Sequence, residues 1–136
     1  MKKYKFDEED EIDFLVLGIN SHVRPYKLCW EINKELNTNF VKTHNHRPQN
    51  KSKQSFERFR FKDENTQTRY NILTNRSSFG YLDPHNKSVN YFLIVQDGIY
   101  NSKKLIKSLS KINDILLVFE LNLSKIKSIT PFIIND

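Results

Sequence analysis

The sequence lacks alanine altogether, and it holds one cysteine, Cys29, and three glycines, Gly18, Gly80 and Gly98. A single cysteine excludes an intramolecular disulfide framework and a cysteine-based zinc site within one chain. Three glycines so far apart cannot form a phosphate-binding loop or a dinucleotide fingerprint, and no Gly-x-Ser-x-Gly nucleophile elbow occurs. No apolar run approaches the roughly 20 residues of a membrane-spanning helix. We therefore expect a soluble cytoplasmic protein with no resident cofactor.

The length predicts one folded domain. A chain of 136 residues can bury roughly two-thirds of the surface that its unfolded form exposes. Six of its sixteen acids crowd into residues 7–13, and residues 1–11 are mostly polar. We predict a flexible acidic arm over residues 1–11, at most an edge strand, and a single domain over residues 12–136.

The positive charge is concentrated in one segment. Lysine and arginine number 22 against 16 aspartates and glutamates, a net charge of +6. Residues 42–62 contain one acid, Glu57, and seven basic residues, so the net charge of this segment alone equals that of the whole chain. The seven basic residues are Lys42, Arg47, Lys51, Lys53, Arg58, Arg60 and Lys62. Many lysines and fifteen asparagines without alanine are also typical of an AT-rich coding sequence, so part of this excess needs no partner.

Hydrophobic periodicity predicts the secondary structure. Residues 12–19 and 89–95 are apolar runs of strand length, and residues 56–75 alternate as a hairpin does. A helix is predicted over residues 26–37, capped by Asn20 or Ser21, and a second one follows a cap at Asn101 or Ser102 and ends at Asn113. Brief strands are predicted at residues 40–41 and 115–121, and loops at 44–55 and 76–87.

The element order predicts the fold class. The order β-α-β-β-β-β-α-β, with two main helices and a mostly antiparallel sheet, indicates an α+β two-layer sandwich. Several strands are apolar on both faces, and two helices are few elements with which to cover both faces of the sheet. A homodimer could bury the apolar face that the helices leave uncovered.

Several stretches between about residue 12 and residue 95 share one family likeness. They include the helical stretch around Cys29 and Trp30, residues 75–77 and residues 82–91. Together they resemble the IPExxxVDY family of small bacterial proteins. The naming motif corresponds to Pro84, His85, Val89, Asn90 and Tyr91, preceded by Leu82 and Asp83. The resemblance implies no established activity.

This chain departs from the naming motif at its two acidic positions. They are occupied by His85 and Asn90, and Asp83 stands where the motif has isoleucine. An asparagine side chain does not act as a general acid or base, so carboxylate catalysis is disfavoured. The motif is better explained as a structural loop that enters the central strand.

Isolated histidines and the cysteine offer little for chemistry. His44 and His46 would share a face if they lay in a strand, and two imidazoles could then bind one metal ion. No Cys, Asp or Glu lies between Leu36 and Phe56 to complete the shell, so two solvated loop histidines are the simpler interpretation. Cys29 lies on the apolar stripe of the first helix, which favours core packing over nucleophilic catalysis.

The basic segment is a candidate for binding RNA. Arg58 and Arg60 would share one strand face with Phe56, where they could follow a phosphate backbone while the ring stacks a base. The alternative is a solvated hairpin face, on which basic residues prevent edge-to-edge aggregation.

The first helix carries a second candidate, a face for contacts with another protein. Tyr26, Trp30 and Asn33 lie beside the apolar stripe, and tyrosine and tryptophan are common anchors of protein interfaces. Packing against the sheet, with Asn33 capping a backbone group, is the simpler use of the same residues. Our main hypothesis is a non-catalytic protein-interaction protein, and the alternative is an RNA-binding accessory protein.

Overall fold

The computed structural model of the protein describes residues 3–5, 11–49, 53–98 and 100–135. Within these ranges it contains nine strands and two α-helices. The strands are β1 Lys3–Lys5, β2 Glu11–Asn20, β3 Val41–His46, β4 Phe56–Asp63, β5 Thr68–Thr74, β6 Arg76–Ser77, β7 Gly80–Tyr81, β8 Tyr91–Gln96 and β9 Leu117–Glu120. The helices are α1 Pro25–Leu36 and α2 Ser102–Leu109.

Seven strands form one antiparallel sheet in the order β1-β2-β8-β5-β4-β3, with β9 also paired to β2. The long strand β2 pairs along one edge with β8 and shares its other edge between β1 and β9. Strands β6 and β7 form a separate two-stranded hairpin. The predicted α+β class, with two helices and an antiparallel sheet, is confirmed.

Both helices pack on one face of the sheet. Alternate residues of β2, Leu15, Leu17 and Ile19, contact the core that also contains Leu28 and Ile32 of α1. The residues between them face the other way because side chains alternate along a strand. Since this opposite face is buried as well, the strands are apolar on both sides.

The opposite face is covered by the carboxyl-terminal part of the same chain. Residues 121–135 run over it with two 3₁₀ turns, Leu123–Lys125 and Thr130–Phe132. The ring of Phe132 lies edge-on to Phe92 of β8, with the ring centroids 5.1 Å apart. Among the described residues, this face of the sheet is therefore not left uncovered, contrary to the expectation that favoured a homodimer. The homodimer stays a prediction, but it loses the support of an uncovered face.

The helix ends differ in part from the expectation. The cap of α1 is Arg24, not Asn20 or Ser21, and Pro25 occupies the first helical position, where its missing N–H is not needed. Asn101 caps α2 as predicted, because its Oδ1 accepts a 3.0 Å hydrogen bond from the Lys104 amide. The cap at the other end of α2 is Ser110, not Asn113.

Other segments also differ from the expected loops. Strand β3 continues to His46 because it pairs with β4, with a register shift between Thr43 and His46. The predicted loop over residues 76–87 contains β6, β7 and a 3₁₀ turn at Pro84–Asn86. Of the predicted acidic arm, Lys3–Lys5 form the edge strand β1 and Glu11 begins β2, whereas residues 1–2 and 6–10 lie outside the described residues. In the described ranges no helix is long and apolar enough to cross a membrane.

Candidate functional site

Two aromatic side chains project from α1 into solvent. Tyr26 is 66% exposed and Trp30 is 58% exposed, although large aromatic groups usually dominate protein cores. They lie four residues apart and therefore on one side of the helix. The apolar stripe of Leu28, Cys29 and Ile32 occupies the side that packs on the sheet. The prediction that Tyr26 and Trp30 pack against the sheet is therefore wrong, because most of the surface of both side chains is exposed.

Neighbouring side chains hold these rings in place and add positive charge. The Tyr26 ring lies edge-on to Phe59 of β4, with centroids 5.4 Å apart and planes at 87°. The Lys34 Nζ lies 4.1 Å from the centre of the Trp30 ring, a cation–π contact. The Lys42 Nζ lies 5.7 Å from the centre of the Phe59 ring. We call Tyr26, Trp30, Lys34 and Lys42 the aromatic flank.

Asn33, the third predicted contact residue, serves the fold. Its Oδ1 accepts hydrogen bonds from the Phe40 amide at 2.7 Å and the Thr38 hydroxyl at 2.9 Å. Its Nδ2 donates to the Phe40 carbonyl at 3.2 Å. The side chain therefore fixes the turn between α1 and β3, and the expectation that it binds a backbone group is confirmed.

Arg58 is buried, which corrects its expected place on an outer face. The side chain is 1% exposed and Phe56 is fully buried, because residues 121–135 cover this face of β4. The Arg58 Nε donates to Asn71 Oδ1 at 2.8 Å. Neither Arg58 nor Phe56 can meet an RNA strand in this structure.

The rest of the basic segment is divided, because Lys42, Arg60 and Lys62 line one shallow depression together with Glu64, whereas Arg47 lines a different one. Lys42, Arg47, Lys53 and Lys62 are exposed and Arg60 is half-buried, while Lys51 lies outside the described residues. Lys42 and Arg47 belong to β3 and the residue after it, and Lys62 is close to the β4–β5 turn. The continuous basic face proposed for RNA therefore loses its central member, Arg58.

The two histidines of β3, His44 and His46, contact different parts of the protein. Arg58 Nη1 lies 3.3 Å from His44 Nε2 and donates to it, because a guanidinium cannot accept a hydrogen bond. His46 is buried, and its Nε2 lies 2.8 Å from the Pro131 carbonyl oxygen. No group of three or more His, Cys, Asp or Glu side chains suited to a metal ion occurs among the described residues.

The family-motif loop is organised by Asn75, a residue to which sequence reasoning gave no role. Asn75 is fully buried. Its Nδ2 donates to the carbonyls of Asn86 and Val89, both at 2.8 Å, and its Oδ1 accepts from the Asp83 amide at 2.9 Å. The only sequence signal for it was the stretch from Asn75 to Ser77, which belongs to the family resemblance.

The motif residues themselves also make structural contacts. Asp83 Oδ1 accepts from the His85 amide at 3.1 Å, which caps the 3₁₀ turn that begins at Pro84. Asn90 Oδ1 accepts from the Ser21 amide at 2.8 Å, and the Tyr91 hydroxyl donates to the Val23 carbonyl at 2.6 Å. These bonds join the start of β8 to the connection between β2 and α1, as expected of a structural loop.

Cys29 is not poised for catalysis. It is 4% exposed in the core beneath α1, and burial raises the pKa of its thiol to about 12. Because the thiolate is the nucleophilic form, this cysteine is inert near neutral pH. Its predicted role in core packing is confirmed.

Comparison with known proteins adds no family. No protein-family model matches the chain, and no curated protein matches it. The likeness to the IPExxxVDY family therefore stays a prediction from the sequence.

Proposed function

We propose that this protein is a non-catalytic interaction module that binds a partner protein through the aromatic flank. The exposure of Tyr26 and Trp30 carries the proposal. Aromatic side chains are enriched at the centres of interfaces, where they bury a large area at a small entropic cost. Here the contacts of Tyr26 with Phe59 and of Trp30 with Lys34 already restrict both rings before binding.

The lysines of the flank indicate what the partner carries. Lys34 and Lys42 are exposed beside the rings, whereas Lys27, one turn of α1 before Trp30, is paired with Asp114 at 3.4 Å, and the Glu31 carboxylate interacts with both Lys27 and Lys34. Exposed charges at the rim of an interface select a partner with the opposite sign and speed its association. The partner segment should therefore present apolar side chains flanked by aspartate or glutamate.

The test is an affinity purification from cells that naturally express the protein. Wild type is compared with Tyr26→Ala/Trp30→Ala and with Phe79→Ala, a control that removes another exposed ring, one 74% exposed and remote in sequence. We expect a defined protein to be recovered by wild type and Phe79→Ala and lost by the double variant, with and without nuclease. All three proteins should show the same circular dichroism, since the removed rings are mostly exposed.

RNA binding is the alternative, because exposed rings beside lysines also suit single-stranded nucleic acid. The same purification separates the two functions. A partner that survives Tyr26→Ala/Trp30→Ala contradicts the proposed surface. Material that nuclease releases favours RNA, and its affinity must then fall steeply with salt because phosphate contacts release counterions.

A further inference from the structure

A second surface feature lies between the two helices, apart from the aromatic flank. It is a cleft of about 540 Å³, bounded by the end of α1, by α2 and by the sheet. Clefts of roughly 300–1,000 Å³ with apolar walls and few polar groups are typical of small-molecule sites. We call it the interhelical cleft.

The floor of the interhelical cleft is made of aromatic rings. Phe61 and Tyr70 are directly opposite each other on β4 and β5, with centroids 5.6 Å apart and planes only 32° from parallel. Phe40 stands beside both, 5.7 Å from Phe61 and 6.3 Å from Tyr70. Phe61 and Tyr70 are only half-buried, so a flat surface remains on which another ring can stack.

Besides the uncharged polar residues Asn37, Thr38, Asn101 and Ser108, the cleft is lined by two charged side chains of opposite sign that come from different elements. Lys104 lines the α2 wall, and Asp63 lies at the end of β4. Burial, and then the negative charge of Asp63, raise the pKa of the Tyr70 hydroxyl above its ordinary 10.0, and a tyrosine is protonated at neutral pH even without such a shift. A ligand's anionic group is favoured near Lys104, whereas hydrogen-bond donors on its ring are favoured near Asp63.

We propose that the interhelical cleft binds a small planar aromatic anion, whose ring stacks on Phe61 and Tyr70 and whose charged group pairs with Lys104. Two kinds of small molecule combine a planar aromatic ring with an anionic group in this way. One is a purine nucleotide, whose anionic group is a phosphate, and the other is an indole-type carboxylic acid. Each has a ring of suitable shape and a nitrogen that can donate toward Asp63. This ligand site is independent of the proposed protein-binding function.

Titration calorimetry with four probes tests the site. Adenosine monophosphate and indole-3-acetate are compared with their neutral counterparts, adenosine and indole-3-acetamide. We expect at least one anionic probe to bind, about tenfold more tightly than its neutral counterpart, as for one charge-assisted contact. The probe that binds identifies a phosphate or a carboxylate as the preferred group.

Two surface variants locate the binding. Lys104→Gln should lower the affinity for the anionic probe to that of the neutral one, whereas Lys107→Gln should not change it. Both lysines are exposed on α2, but only Lys104 lines the cleft. In wild-type protein, the probe should shift the amide NMR signals of residues 61, 70 and 104. The site is refuted if no probe binds at millimolar concentration, or if the two variants weaken binding equally.

Discussion

Substitution of Asn75 by alanine should destabilise the fold severely. The change removes three hydrogen bonds to backbone groups, two donated by Nδ2 and one accepted by Oδ1. The bonds to Val89 and Asp83 are fully buried, and that to Asn86 is partly buried. A buried backbone group that loses its partner costs about 1–3 kcal/mol, so we expect a loss of about 3–5 kcal/mol. That is a large part of the roughly 5–15 kcal/mol that stabilises a domain.

The measurement is urea unfolding of wild type, Asn75→Ala and Asn75→Asp, with the exposed Asn113→Ala as matched control. Asn75→Asp keeps an acceptor for the Asp83 amide but places a carboxylate against two carbonyls, so it should be at least as destabilising as alanine. The control should change stability by less than about 0.5 kcal/mol. A loss below about 1 kcal/mol for Asn75→Ala would refute the view that this side chain organises the motif loop.

Two further predictions concern the turn after β8 and the buried cysteine. Gly98→Ala should lower the free energy of unfolding in urea by about 2 kcal/mol or more. The reason is that Gly98 has φ +59° and an added Cβ would lie 2.5 Å from the Thr66 carbonyl oxygen. An unchanged urea midpoint would contradict this prediction. The raised pKa of Cys29, about 12 against an ordinary 9.0, favours the protonated folded state, so the unfolded chain loses its proton first. This contribution to stability is complete below pH 9 and declines as the pH rises from 9 to 12. Between pH 8 and pH 10, the free energy of unfolding should therefore fall less steeply with pH for Cys29→Ala than for wild type. Equal slopes for the two proteins would contradict this contribution of Cys29.

The sequence predicted those elements whose residues form a regular local pattern. The apolar run of β2, the helical stripe of Leu28, Cys29 and Ile32, and the alternation of the β4–β5 hairpin are each typical of one structure. All three occur in the structure within a residue or two of the expected bounds. Each pattern is complete within about 20 residues and needs no distant contact.

The burial of Arg58 could not be predicted in the same way. An arginine that alternates with Phe59 and Phe61 is typical of a solvated strand face, since charged groups rarely enter a core. The segment that covers it, residues 121–135, lies more than 60 residues later and has no regular helical or strand pattern. Only the tertiary fold places Arg58 beneath this segment.

The candidate site was predicted in part. The pattern placed Tyr26 and Trp30 beside the apolar stripe, but the sequence does not say whether the sheet extends far enough to cover them. Asn75 was one of fifteen asparagines, and only its contacts with residues 83, 86 and 89 distinguish it. Side chains that act through distant backbone groups have no local signal.

The fluorescence of Trp30 tests the proposed interaction surface most directly. Trp30 is the only tryptophan in the chain and is 58% exposed, so its emission reports on this flank alone. Titration with a synthetic segment of the recovered partner that contains no tryptophan should shift the emission to shorter wavelength and saturate, because the ring leaves water. Lys34→Gln should weaken that binding, whereas Lys107→Gln should not. Saturable binding that leaves the Trp30 emission unchanged would contradict the proposal that the partner contacts the aromatic flank.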